Sequence, residues 1–191
     1  MEQFHDLSEI VLLEMRVPDH IIRGLRKGQR AEQEAAYRLL YSDAYKIAMR
    51  YAHSTPVAQD VLNKAFFKAL TKIDSFKGDG ANFFGWLKRI IINQALDEIK
   101  TSSFSQSFAP IEEASDQGID MIGEKDDYDN VIALIQQLAD TSKCVFNLYA
   151  IDGYSHREIA QRLGITEDNS RYHLHAARKQ LKAWIFKTEQ L

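Results

Sequence analysis

The sequence predicts an all-α fold of two small helical domains joined by a flexible acidic linker. Three observations lead there. Apolar residues recur at three- and four-residue spacing through long runs on both sides of the chain's middle, with no strand-like alternation and no internal repeat. Between residues 101 and 129 the periodicity is lost in a stretch with Ser102, Ser103, Ser105, Ser107 and Pro110, followed by a cluster of acids. Charge divides along the same lines: 14 basic and nine acidic side chains over 18–100, one basic and eight acidic over 101–130, eight basic and six acidic over 131–191.

Residues 1–17, net −3, form an N-terminal extension that reads as a short amphipathic helix or a loose arm, with Ile10, Val11, Leu12, Leu13 and Met15 among polar residues. Pro18 interrupts it. Residues 19–27 predict a short helix with Ile21, Ile22 and Leu25 on one face, stopped at Gly28. From Arg30 to Ala52, Ala36, Leu39, Leu40, Ala44, Ile47, Ala48 and Tyr51 mark a second helix. Thr55-Pro56 opens a third, with threonine as N-cap and proline at the first helical position. It buries Val61, Leu62, Ala65, Phe66, Ala69 and Leu70 and runs to about Ile73. Ser75 to Asn82 reads as a glycine-containing loop. Phe83 to Lys100 is the next helix, with Trp86, Leu87, Ile90, Ile91 and Leu96 inside. Helical pattern returns at Val131–Leu138 and Ser142–Ile151. The domains are therefore drawn at 18–100 and 131–191, with the linker at 101–130.

Residues 153–182 carry the most specific local pattern. Ser155 and Glu158 form a capping box. Ile159, Ala160 and Leu163 face inward, Gly164 makes a sharp turn, Ile165 plugs the space between helices, and Thr166 caps the next helix. This is a helix-turn-helix, whose second helix fits a DNA major groove. On that helix Leu174, Ala177 and Leu181 form the buried stripe, while Arg171, Tyr172, His175, Arg178 and Lys179 reach outward. Arg171 lies at the groove-entering end and suits a base edge or a phosphate; Arg178 and Lys179 suit phosphates. The alternative for each is a solvated surface.

Net charge is −3, but the basic blocks on either side of the linker suit phosphate contact. No run of 18 apolar residues predicts membrane insertion. The acidic N-terminus, with Glu2, Asp6, Glu9 and Glu14, is unlike a signal peptide. The single cysteine, Cys144, forms no intrachain disulfide and falls in an apolar stretch. These features point to the cytoplasm. No catalytic constellation is present, and no cofactor is expected. Lys77-Gly-Asp-Gly80 lacks the lysine and strand of a phosphate-binding loop. His156, His173 and His175 with Cys144 do not make a zinc site, because His173 and His175 point to different sides of one helix.

Phe76-Lys77-Gly78-Asp79, then Phe83-Phe84-Gly85-Trp86-Leu87-Lys88-Arg89-Ile90, then Asn93 and Asp97, closely resemble the region-two signature of extracytoplasmic-function sigma factors of the sigma-70 superfamily. Asp60, Ala65 and Phe66 resemble the helix before it, and residues 138–182 resemble their region four. Both parts occur in the family's order over roughly 20–100 and 131–185. The resemblance implies binding to core RNA polymerase at the beta-prime clamp and beta flap, recognition of −10 and −35 promoter DNA, strand opening, and control by an anti-sigma factor or another regulatory protein. It assigns Asp60, Asn63 and Lys64 to polymerase docking and Phe76, Lys77, Asn82, Lys88, Arg89 and Asn93 to single-stranded −10 DNA. Phe76 is expected to stack on a base or wall its pocket. Arg171, Tyr172, His175, Arg178 and Lys179 fall on the −35 element. The acidic linker implies a strand threading toward the polymerase cleft, or a plain solubilising tether.

The chain departs from the family at several positions. Asn63-Lys64 stand where Gln-Glu is usual, reversing a charge. Asp168 replaces a common glycine, Ser170 a valine, and His173 and Ala176 two arginines. A helix-turn-helix regulator that never touches polymerase, and a sigma-like module recruited by another protein, are the competing readings.

Overall fold

Pro18 sets where the first described helix begins. Its carbonyl accepts the amides of Ile21 at 2.9 Å and Ile22 at 3.3 Å, and its missing N–H costs nothing at a helix start. In the computed structural model, residues 16–102 and 127–188 are described. They fall into two compact units, 1–102 and 103–191. The N-terminal extension through residue 15 and the acidic run over 103–126 lie outside the described residues. The described residues are helical, with turns and no strand, and none of their helices is long and apolar enough to cross a membrane.

The first unit contains α1 (Asp19–Arg26), α2 (Arg30–Tyr51), α3 (Thr55–Thr71), a 3-10 turn (Ile73–Ser75) and α4 (Gly80–Ser102). α1 buries Ile21, Ile22 and Leu25, and Gly28 ends it with φ 67°. Helices α2, α3 and α4 pack against one another around Leu40, Val61, Leu62, Leu87, Ile91 and Ile92, with Tyr51 also inside. Each such side chain contributes about 1.5–3 kcal/mol of transfer free energy. Four expectations shift. The cap position before α3 is Ser54, one residue ahead of Thr55, so Pro56 is the second helical residue and not the first. α3 stops at Thr71, and Leu70 is only half-buried. Leu39, placed on the inward stripe by its spacing, is 45% exposed. α4 begins at Gly80, so Asn82 belongs to its first turn and not to the loop.

The second unit contains α5 (Asp127–Gln136), α6 (Asp140–Phe146), a π-helical turn (Asn147–Ile151), α7 (His156–Leu163) and α8 (Glu167–Thr188). Ile135 and Leu138 meet Ala177 and Leu181 of α8, flanked by Phe146, Ile151 and Trp184. Both flanking helices reach into the span drawn as linker: α4 to Ser102 and α5 from Asp127.

Candidate nucleic-acid interface

The loop between the 3-10 turn and α4 is built around Phe76. Its ring lies 5.3 Å from Phe83, edge-on, and 5.2 Å from Trp86, and the residue is only 4% exposed. Phe76 is therefore a wedge buried among aromatic rings, in the loop whose pocket it was expected to wall or to furnish with a stacking face. Gly78 lies under this ring: a Cβ there would come within 2.8 Å of it. Asp79 then caps α4, accepting the amides of Ala81 at 3.1 Å and Asn82 at 3.3 Å and the side-chain amide of Asn82 at 2.8 Å. These bonds, led by the Asn82 side chain, hold the Asp79 carboxyl below its ordinary range.

Asn82, Trp86, Arg89 and Asn93 follow at four-, three- and four-residue steps, so one stripe of α4 carries all four. Asn82 and Arg89 are exposed; Trp86 and Asn93 are half-buried. Lys77 is exposed on the loop, and half-buried Lys88 sits one step round the helix from the stripe. Trp86, read from its spacing as core, is thus the aromatic group at this surface. Its ring is tilted against both Phe76 and Phe83, at 5.2 and 5.5 Å.

On α3, Asp60, Asn63 and Lys64 are all engaged within the fold. Tyr37 donates its hydroxyl to Asn63 Oδ1 at 3.0 Å. Lys64 Nζ sits between Asp60 of its own helix, at 2.5 Å, and Glu98 of α4, at 3.0 Å. Hydrogen bonds to Asp60 and then Glu98 raise its pKa. Phe67, one turn beyond Asn63, is 70% exposed. It was missed because the Phe66-Phe67 pair looks uniformly apolar, yet only Phe66 turns inward. Tyr37, Tyr41 and Tyr45 were missed as well; their four-residue spacing was the available clue, with Tyr37 tilted against Tyr41 at 5.4 Å and Tyr41 stacked on Tyr45 at 5.7 Å along α2. We predict that Lys64→Glu lowers the melting temperature more than Lys64→Gln, because it sets a third carboxylate against Asp60 and Glu98. The gap should narrow with added salt; equal melting temperatures for the two variants at low salt would refute it.

In the second unit the turn is built as its residues demand. Ser155 and Glu158 close the capping box, Gly164 takes φ 71°, and Thr166 Oγ1 accepts the Asn169 amide at 3.1 Å. Ser170, Leu174, Ala177 and Leu181 of α8 face the core. Arg171, His175 and Arg178 form one outer stripe, with Tyr172 and Lys179 beside it, and all five are exposed. Arg171 is held at its own helix start, by Asp168 at 2.9 Å and Glu167 at 3.0 Å. Arg178 lies 5.7 Å from the Tyr149 ring.

Two of the unusual residues in α8 point inward and are matched. His156 Nδ1 lies 2.9 Å from Ser170 Oγ, joining α7 to α8, and Ser142 Oγ lies 3.1 Å from His173 Nδ1, joining α6 to α8. Burial lowers the pKa of both imidazoles, and the Arg171 and Arg178 guanidiniums lower His156 further. A histidine kept neutral by the fold takes its proton first in the unfolded chain. The stability these two contribute is full above about pH 6.5, the ordinary imidazole value, and falls away as pH drops through it. Hydrogen exchange of α7 and α8 should therefore quicken between about pH 7.5 and about pH 5.5 beyond its intrinsic pH dependence, and less so in His173→Gln. Protection that is flat after that correction would refute this. Cys144 is fully buried, and burial pushes its thiol up to about 12. Among the described residues no group of three or more histidine, cysteine or acidic side chains is placed to hold a metal ion.

Comparison with known proteins follows the same division. The Sigma-70 region 2 family matches residues 36–104, and Sigma-70, region 4 matches residues 128–181. Over 150 residues the chain is 30% identical to the ECF RNA polymerase sigma-E factor of Escherichia coli, covering 69% of this chain and 76% of that protein. Over 74 residues it is 38% identical to the RNA polymerase sigma-H factor of Pseudomonas aeruginosa, covering 37% of this chain and 38% of the other. Its fold is similar to that of the sigma factor RpoE solved with the anti-sigma factor NepR from Bartonella quintana, with a TM-score of 0.50 at 19% identity, covering 80% of this chain and 95% of that one.

Proposed function

The chain belongs to the sigma-70 family, in its extracytoplasmic-function group, and from that premise we propose how its two units divide the work of an alternative sigma factor. Such a factor is not an enzyme: it brings polymerase to a promoter and assists opening through contacts alone. The observation that carries the reading is the occurrence, in family order, of region 2 on one helical unit and region 4 on the other.

The first unit, over about residues 18–100, docks on the polymerase clamp through α3 and takes the melted −10 strand against the Phe76–Asn82 loop and the α4 stripe. An unpaired base needs a ring to stack on and donors at its edge. Trp86 supports the first requirement; Lys77, Arg89 and Asn93 support the second and the phosphates. Exposed Phe67 extends the docking face beside Asn63. The second unit, over about 131–191, lays α8 in the −35 major groove and meets the polymerase flap. Arg171 stands at the base-reading end, and Arg178 and Lys179 stand against phosphates. The protein works in the cytoplasm, and an anti-sigma protein restrains it, as NepR binds the RpoE relative.

Reconstitution tests this. The purified chain, added to core polymerase from its own host, should form a holoenzyme and yield a transcript from a promoter selected by that holoenzyme. DNA binding by the chain with no affinity for core polymerase would overturn the assignment in favour of a helix-turn-helix regulator.

A further inference from the structure

We propose that residues 16–26 form a strap that positions the −10 loop, with Arg26 and the Val17–Gly80 backbone contact as its two fixing points. The proposal rests on the reading of Phe76–Asn82 as the strand-reading loop, and it assigns to the N-terminal segment a part in base discrimination.

Both ends of the loop are tied to the same short piece of chain. At the first end, Arg26 of α1 donates from Nη2 to the Phe76 carbonyl at 3.0 Å. At the second, the Val17 amide donates to the Gly80 carbonyl at 3.0 Å. These partners are 50 and 63 positions apart in sequence, so neither bond belongs to a local turn. The second contact is close enough to dictate a residue. A Cβ at position 80 would stand 1.8 Å from the Val17 carbonyl oxygen and 3.3 Å from Asp19 Oδ1. Only glycine admits this approach. Val17 is fully buried, while Arg16 pairs with Asp19 at 3.4 Å and adds to the field on Asp79, the cap of α4.

The consequence is preorganisation. Within the loop, Phe76 is wedged among aromatic rings, and Asp79 fixes the start of α4. What remains is the placement of residues 77–79 as a group, and the two strap bonds set it from outside. A base flipped against a loop already in place binds without the entropy of ordering that loop. Arg26 is exposed apart from this bond, so its removal opens no cavity and leaves the core intact. It acts through the loop, as a positioning residue.

The test uses the full chain in holoenzyme with core polymerase. The probes are a single-stranded −10 oligonucleotide selected by the wild-type holoenzyme and the same strand changed at its most discriminated base. The readout is the ratio of affinities for the two strands, taken with core affinity and melting temperature. Arg26→Ala should lower that ratio about fivefold or more, the loss expected from one hydrogen bond, with core affinity and melting temperature unchanged. Arg26→Lys, which restores a donor, should recover most of it. Gly80→Ala should lower the ratio at least as far; if it unfolds the unit, the Arg26 pair alone decides. Arg89→Ala, on the α4 stripe, reports on the underlying reading. Full discrimination in Arg26→Ala with loss in Arg89→Ala overturns the strap and leaves the loop's role standing. Full discrimination in Arg26→Ala, Gly80→Ala and Arg89→Ala alike overturns the loop's role and the strap with it. Parallel loss of core affinity and melting temperature in Arg26→Ala reduces Arg26 to a structural residue and overturns the proposal.

Discussion

Replacing Phe76 with alanine is expected to cost the N-terminal unit about 3–5 kcal/mol, the range for emptying a buried aromatic site. That is a large share of the roughly 5–15 kcal/mol that holds an ordinary domain together. The ring fills the space between Phe83 and Trp86 at centroid distances of 5.3 and 5.2 Å. Without it both rings lose a face, and the loop loses the wedge that anchors its first residue. A ring that only stacked on DNA would behave differently: its loss would leave the denaturant midpoint in place and weaken strand binding alone. Urea titration of the free protein separates the two, and Phe76→Leu should fall between wild type and alanine. An unchanged midpoint for Phe76→Ala would show that the ring is not part of the core.

The second large effect is expected on α8. Arg171→Ala should weaken binding of the holoenzyme to its −35 element by about 1–3 kcal/mol and relax preference at one base pair if the guanidinium reads a guanine. The loss has a second source. Arg171 neutralises Glu167 and Asp168 at the groove-entering end of the helix. Its removal leaves two bare carboxylates at the helix start that the proposed reading sets against DNA. Arg171→Ala combined with Asp168→Asn therefore recovers the sequence-independent part and not the preference. Lys179→Ala should weaken all duplexes equally and reduce the salt slope by about one. Ala176→Arg, on a half-buried position beside the outer face, should tighten binding. Affinities for randomised duplexes at two salt concentrations test these together. Equal, sequence-independent losses for the Arg171 and Lys179 variants would leave α8 as a phosphate clamp.

What the sequence made legible was what is local. Ser155 with Glu158, Gly164 and Thr166 act within four residues of their partners, and each stands where its chemistry predicts. The spacing of Leu174, Ala177 and Leu181 likewise announced the buried face of α8. The positions whose surroundings stayed hidden depend on contacts beyond their own turn. Phe76 follows a turn and precedes two glycines, so its context reads as exposed loop; its partners are seven and ten residues on, across that turn. Gly80 looked like a loop residue because glycine is rare inside helices, whereas here it opens one under the Val17 backbone. Ser170 and His173 stood out only as departures from the family's usual valine and arginine. Their partners, His156 and Ser142, lie 14 and 31 residues away, too far for any periodicity to connect. The partner of Lys64 across the fold, Glu98, was hidden in the same way, 34 positions on.

The burial of Cys144 has a practical side. Maleimide and iodoacetamide dyes react with thiolate, and a fully enclosed sulfur with a pKa of about 12 offers almost none at neutral pH. The native chain is therefore close to a cysteine-free background without any substitution in its core. A cysteine introduced at Lys77 or at Lys179 would be the sole attachment point for a fluorophore. Each element of promoter engagement can then be watched separately in real time, on protein that keeps its own packing.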